Sequence, residues 1–133
     1  MTISMNEACL YEYQLLKNGQ HTYVVFTMAG TEYVVEKTSS STVYDDFLAD
    51  LPPAECRWAA YSFAYEGADG AQQTKRMLVQ WSPDQAPGKQ RILFASTADM
   101  FYRQFTGIAF QVQATQYDDI AYKTVLDRAK SSA

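Results

Sequence analysis

The sequence predicts an α+β fold in which one sheet is covered by helices on both faces. Apolar residues recur at helical spacing in four segments and follow strand patterns in five others, and the two kinds of segment interleave along the chain. The 133 residues are 47% hydrophobic and 20% charged, a balance typical of a chain that buries a core, and it excludes global disorder. Because no repeat, low-complexity tract or long linker interrupts the sequence, residues 1–133 are expected to form a single domain.

In order, the predicted elements are a helix over about 5–17, strands over 23–28 and 32–36, a helix over about 42–51, strands over 56–65 and 75–81, a long helix over 90–105, a strand over 108–114 and a helix over about 120–130.

The first helix and the hairpin that follows it have clear boundary signals. Asn6 or Ser4 can cap the first helix, and Asn18-Gly19 ends it. Ala29-Gly30 then gives the short turn of a hairpin.

The middle elements are bounded by prolines and glycines. Ser41 or Thr42 can cap the second helix, which ends at Pro52-Pro53. The strand over 56–65 is apolar at both odd and even positions, as expected when both faces of a strand are buried. Its partner ends before the proline-containing turn at 82–88, whose composition excludes regular structure.

The last three elements each show a clear apolar pattern. The long helix has Phe94, Phe101 and Phe105 along one side, and Gly107 ends it. The next strand alternates apolar residues with glutamines, which predicts one buried and one exposed face. Four apolar residues at helical spacing then predict the final helix: Tyr122, Val125, Leu126 and Ala129.

The net charge of −4 is distributed unevenly along the chain. Residues 1–70 carry three basic and ten acidic groups, whereas residues 71–133 carry eight basic and five acidic groups. The acidic total disfavours a generic binder of nucleic acid or anionic membrane, and no nucleic-acid partner is predicted. The cations over 75–103 leave two interpretations open. Composition alone favours an ordinary solvated helix face, and the alternative is a helix that docks into a groove on an acidic protein.

No catalytic or metal-binding constellation is recognisable, so the sequence predicts no enzyme, no metal and no cofactor. The single histidine, His21, has no identifiable nucleophile or orienting carboxylate, and no cluster has metal-ligand spacing. Cys9 and Cys56 lack CxxC spacing and are interpreted as buried, reduced thiols. No apolar run approaches the ~20 residues of a membrane span, and residues 1–7 lack the features of a signal peptide. A cytoplasmic protein is therefore expected.

Five segments of the chain resemble, in order, the corresponding segments of the actin-depolymerising factor/cofilin family. They are YDDFLADLP at 44–52, ECRWA at 55–59, WSPDQAP at 81–87, QAT at 113–115 and VLDR at 125–128. The resemblance covers nearly the whole chain and implies a mixed sheet of five to six strands flanked by helices, the ADF-homology or gelsolin-like fold. It also implies a monomeric, non-enzymatic protein of the cytoplasmic actin cytoskeleton. Such a protein binds actin monomers and filaments, prefers ADP-actin, and promotes filament severing and depolymerisation.

The resemblance also assigns two sets of contact residues, one for each form of actin. It places the monomer contacts on the N-terminal segment and the long helix, at Thr2, Ile3, Ser4, Lys89, Arg91, Ile92, Asp99 and Arg103. It places the filament contacts on the basic hairpin and the last helix, at Lys75, Arg76, Asp127 and Arg128.

The chain departs from the family pattern mainly by lacking cations. Ala98, Tyr102, Gln104 and Gln73 stand where relatives are commonly basic. Because each exposed charge pair contributes roughly 0.2–1 kcal/mol, filament affinity and phosphoinositide binding are expected to be weaker than in basic relatives. The serine that many relatives phosphorylate corresponds to Met1, so inhibition by the usual kinases is not expected. Phosphate on the nearby Thr2 or Ser4 could still repel an acidic surface.

The sequence leaves two alternative functions open. One is a coactosin-like module of the same fold, which binds the sides of filaments without severing them. The other is a small hydrolase or ligand-binding α+β domain, which would need a pocket with convergent polar groups. The single histidine and the missing nucleophile–base pair argue against the second.

Overall fold

The computed structural model describes residues 2–132 and contains a mixed six-stranded sheet with helices on both faces. Its strands are β1 (Ser4–Met5), β2 (Tyr23–Ala29), β3 (Glu32–Ser39), β4 (Arg57–Glu66), β5 (Gln72–Trp81) and β6 (Phe110–Ala114). Its helices are α1 (Glu7–Lys17), α2 (Tyr44–Ala49), α3 (Gly88–Ser96), α4 (Ala98–Arg103) and α5 (Tyr122–Ser131), with a 3₁₀ turn at Tyr117–Ile120 before the last. The α+β class and the helices on both faces are as predicted.

The sheet is antiparallel at its centre and parallel at its two edges. The strand order is β1-β3-β2-β4-β5-β6, and only the outer pairs β1–β3 and β5–β6 are parallel. The longest ladder joins β4 to β5 in register from Arg57 opposite Trp81 to Glu66 opposite Gln72. These parallel edges place the N-terminal strand at one end of the sheet and the C-terminal strand at the other.

The two faces of the sheet bury separate hydrophobic clusters. Helices α2 and α5 cover one face, where Phe47, Phe63 and Val125 belong to the first cluster. Helices α1, α3 and α4 cover the other face, where Trp58 and Phe94 belong to the second. Adjacent residues of β4 alternate between the two clusters because successive strand side chains point to opposite faces. This alternation explains why 56–65 is apolar at both parities.

The boundaries of α1 follow the sequence signals closely. The Asn6 side chain caps the helix by accepting a hydrogen bond from the Ala8 N–H at 2.9 Å. At the other end, Gly19 has φ +86°, and its N–H donates to the Leu16 carbonyl at 3.1 Å. The cap predicted for the second helix is wrong. Val43 occupies that position without a side-chain cap, while the Ser41 hydroxyl accepts from the Val43 N–H at 3.1 Å.

The predicted long helix is the largest departure, because it is two helices, α3 and α4, separated at Thr97. The strand β1 was not predicted at all, since two residues cannot display an alternating pattern. Both features depend on contacts with distant parts of the chain. Within residues 2–132 no helix combines the length and apolarity that a bilayer span requires.

Candidate functional site

Helix α3 presents three of the predicted monomer contacts at the surface. Lys89 is exposed, and Ile92 is 71% exposed, the most exposed large apolar side chain among the described residues. Arg91 is half-buried, because its Nε donates to the Ser82 hydroxyl at 3.2 Å and its Nη2 lies 3.7 Å from an Asp84 carboxylate oxygen. An exposed isoleucine flanked by cations suits docking against a partner that has an apolar groove with an acidic rim.

The other two helical contacts lie on α4 and neutralise each other. Arg103 Nη2 is 2.9 Å from the Asp99 carboxylate, one helical turn away, and both side chains are about three-quarters exposed. Arg91 also has a carboxylate neighbour. Of the three predicted cations on α3 and α4, only Lys89 therefore has no carboxylate partner among residues 2–132.

The N-terminal segment reaches the same face through its pairing with β3. The Ser4 N–H donates to the Thr31 carbonyl at 3.0 Å, and the Asn6 N–H donates to the Tyr33 carbonyl at 2.8 Å. Thr2 and Ser4 are exposed, whereas Ile3 is half-buried against the second cluster, the one that α3 and α4 also cover. Met1, which was expected to stand at the position of a phosphorylated serine, lies outside the described residues.

The structure separates the predicted filament contacts Lys75 and Arg76. They are adjacent on β5, so their side chains leave opposite faces of the sheet. Arg76 Nε donates to the Gly107 carbonyl at 3.2 Å, in the loop after α4. The two residues therefore do not form one basic patch.

Lys75 is bound to the C-terminal end of α5. Its ammonium donates to the Ala129 carbonyl at 2.9 Å, to the Ser132 carbonyl at 2.6 Å and to the Ser132 hydroxyl at 2.9 Å. These bonds use all three ammonium donors at the end of α5, where the Ala129 carbonyl also accepts from the Tyr65 and Ser132 hydroxyls. Lys75 thus serves as a helix cap in this structure.

On α5, Arg128 is bound within the chain, whereas its neighbour Asp127 is exposed. Arg128 Nη2 donates to the Gln111 carbonyl of β6 at 2.9 Å, and its guanidinium lies 5.8 Å from the centre of the Phe110 ring. Asp127 and Lys130 are exposed. Each of the three predicted filament cations, Lys75, Arg76 and Arg128, therefore donates to backbone carbonyls of another element.

A shallow cleft beside the break between α3 and α4 adds residues that were not predicted as contacts. It measures about 200 Å³ and lies between Ala95 and Ala98 on the helices and Gln113 and Thr115 on β6 and the loop after it. In the sequence, the small side chains of Ala95 and Ala98 were the feature that could have indicated a cleft beside the helix. The opposite wall could not be found from the sequence because it comes from a strand that follows α4 by several residues.

The groups considered for chemistry are paired or buried. His21 Nε2 is 2.6 Å from a Glu12 carboxylate oxygen, so the histidine contacts a neighbouring helix. Burial raises the pKa of the Cys9 thiol to about 11, and burial also raises the pKa of Cys56. Both cysteines are free and buried, as predicted. Among residues 2–132, no three His, Cys, Asp or Glu side chains are grouped so that they could hold a metal.

Comparisons with known proteins give a consistent result over nearly the whole chain. The family model described as cofilin/tropomyosin-type actin-binding protein matches residues 2–130. A cofilin from Mycosarcoma maydis is 41% identical over 133 residues, which is 98% of this chain and 96% of the relative. The crystal structure of Streptomyces griseoflavus cofilin superposes with a TM-score of 0.93 at 42% identity and covers 98% of this chain and 99% of the other. Human coactosin-like protein has the same fold, with a TM-score of 0.85 at 18% identity and 98% coverage of both chains.

Proposed function

The chain belongs to the cofilin/tropomyosin-type actin-binding family, and from that premise we propose that it binds actin monomers and filaments and promotes filament severing and depolymerisation, with a preference for ADP-actin. The observation that carries this proposal is the family match across residues 2–130. It acts by binding, without catalysis, as one monomeric domain over residues 1–133 in the cytoplasmic actin cytoskeleton.

The monomer site of this proposal consists of the N-terminal segment, α3 and α4. Ile92 and Lys89 are its exposed members on α3, and Thr2, Ile3 and Ser4 extend it along the edge of the sheet. Arg91, Asp99 and Arg103 complete it. Their ion pairs are exposed at one or both partners, so they can exchange for contacts with actin at a cost of well under about 1 kcal/mol each.

The test of the monomer site is a comparison of two surface variants. We expect the Lys89→Ala/Arg91→Ala protein to bind fluorescently labelled ADP-actin monomers about tenfold more weakly than the wild type, because two cationic contacts are lost. Lys123→Ala removes an exposed lysine on α5, away from this site, and is expected to bind as the wild type does. Unchanged binding by the double variant would overturn the site assignment and leave the family membership intact.

The filament site is proposed on α5 and the β4–β5 hairpin, with lower affinity than in basic relatives. Lys75, Arg76 and Arg128 donate to carbonyls of their own chain, so they are less available to a filament. The chain also lacks cations at Gln73 and on α4, where basic relatives are expected to have them. Asp127 remains exposed for a contact. Phosphoinositide binding is proposed to be weak for the same reason. Co-sedimentation with filaments at several salt concentrations tests the proposal, and tight, strongly salt-sensitive binding would contradict it.

Severing separates this proposal from its closest alternative, a coactosin-like side-binder. Fluorescence microscopy of labelled filaments is expected to show breaks at bound positions and faster subunit loss from ADP-actin than from ATP-actin. Decoration without breakage would favour the side-binder. If the protein neither co-sediments with actin filaments nor breaks them, both proposals would be contradicted. A ligand-binding α+β domain would then be the remaining alternative.

A further inference from the structure

The break between α3 and α4 lies at Thr97. This residue has φ −103° and ψ 4°, well away from helical values. Its hydroxyl donates to the Leu93 carbonyl at 2.8 Å, and its N–H donates to the same carbonyl at 3.1 Å. A threonine hydroxyl that bonds back to the preceding turn is a known source of helix bending. The side chain of Thr97 is therefore part of the bend.

A second hydroxyl reaches Thr97 from the sheet. Tyr33, on β3, is fully buried, and its hydroxyl lies 2.6 Å from Thr97 Oγ1. Because the single hydroxyl proton of Thr97 already goes to Leu93, the Tyr33 O–H is the donor in this contact. The Tyr33 ring packs edge-on against Phe94 and Phe101, with centroid distances of 5.4 and 4.8 Å. Tyr33 thus fills the inside of the bend and holds both helices.

Trp58, on β4, also packs against α4 from the sheet. Its ring stacks on Phe101 with centroids 4.5 Å apart and an interplanar angle of 12°. Its indole N–H is buried and, among the described residues, has no hydrogen-bond partner. Burial raises the pKa of Tyr33. Stacking on Phe101 is the contact by which Trp58 packs against α4.

Tyr33 also connects the bend to the N-terminal segment. Its carbonyl accepts the Asn6 N–H at 2.8 Å, immediately after β1. Its side chain lies between α3 and α4, the helices that carry the remaining predicted monomer contacts. One residue therefore touches all three parts of the monomer site, although it is too buried to touch a partner itself.

We propose that Tyr33 is a positioning residue for actin-monomer binding, and that its hydroxyl, acting through Thr97, fixes the angle at which α3 and α4 present their contacts. This inference rests on the proposed function. The angle determines whether Ile92 on α3 and Asp99 on α4 can meet one rigid surface together. A change of this angle would separate the two contacts even if each helix stayed intact.

The first test measures the angle directly and does not involve actin. Tyr33→Phe removes only the hydroxyl, and Tyr44→Phe is the matched control because the buried Tyr44 hydroxyl donates to the Ile120 carbonyl at 2.6 Å on the opposite face of the sheet. Residual dipolar couplings from NMR report the relative orientation of α3 and α4. We expect the orientation to change in Tyr33→Phe and to match the wild type in Tyr44→Phe. An unchanged orientation in Tyr33→Phe would overturn the proposal.

The second test measures affinity for labelled actin monomers. Tyr33→Phe is expected to bind about fivefold more weakly than Tyr44→Phe, the effect of one hydrogen bond, while both variants lose similar thermal stability. Equal affinities for the two tyrosine variants would contradict the role in binding. A wild-type protein that does not bind actin would count against the proposed function, and the NMR measurement would still decide what Tyr33 does.

Discussion

Replacing Lys75 with methionine distinguishes a helix cap from a free filament-binding cation. Methionine keeps most of the aliphatic length and removes the ammonium that donates to the Ala129 carbonyl and to both oxygens of Ser132. Hydrogen bonds from a charged donor contribute about 1.5–3 kcal/mol, and the half-buried position of Lys75 lets water replace part of that. We expect a net loss of about 1.5 kcal/mol in the free energy of unfolding.

The expected shift in melting temperature follows from the size of the chain. An unfolding entropy of about 2.1 cal/mol/K per residue converts 1.5 kcal/mol into a decrease in Tm of about 5 °C. Thermal unfolding followed by circular dichroism and urea unfolding both measure it. Amide hydrogen exchange should also speed up in the last turn of α5, because that turn loses its charged donor.

Lys130→Met is the matched control for this experiment. Lys130 follows Ala129 on α5, is exposed, and forms no ion pair within residues 2–132. Its loss should lower stability by less than about 0.5 kcal/mol. It should also reduce the salt dependence of filament binding, whereas Lys75→Met should leave that dependence nearly unchanged. Equal stabilities for the two variants would refute the capping role of Lys75.

Three further predictions concern titration, thiol reactivity and a surface ion pair. Burial raises the pKa of Tyr23 and of Tyr61 to about 12, so the stability they contribute is complete below about pH 10 and is lost as pH rises towards 12. Tyrosinate absorbance should therefore rise in two steps, the second coinciding with unfolding, and a single step near pH 10 would contradict this. The Cys9 thiol, with a pKa of about 11 and no exposed surface, should react with a thiol reagent only on unfolding, and fast labelling of the native protein would disprove it. Asp99→Ala should change the free energy of unfolding by less than about 0.5 kcal/mol in urea, because its pair with Arg103 is exposed; a larger loss would show that the pair holds α4 in place.

The opposite directions of Lys75 and Arg76 could have been derived from the sequence. Strand alternation alone assigns neighbouring residues of a strand to different faces, and both residues were correctly expected in the hairpin. The role of the Lys75 ammonium could not be derived in this way. Its acceptors lie more than fifty residues further along the chain, and only the packing of α5 brings them within reach.

The break at Thr97 shows a different limit of sequence reasoning. The phenylalanines at 94, 101 and 105 keep helical spacing through the break, so their periodicity predicts one continuous helix. Threonine is tolerated within helices, and nothing local requires the chain to bend at this point. The bend depends on Tyr33, which is 64 residues away in the sequence and reaches Thr97 only after β3 has joined the sheet.

Apart from β1 and the division between α3 and α4, the sequence by itself determined the kinds of element, their order, the two buried faces of β4 and the resemblance to a family. These features depend on local composition and short-range periodicity. Tertiary structure decided which charges remain free. Lys75, Arg76 and Arg128 are equally cationic in the sequence, yet each donates to a backbone carbonyl of a distant segment. Backbone carbonyls at helix ends, loops and sheet edges find their donors only when the chain has folded. In this protein those donors are cations that the sequence alone would assign to a partner.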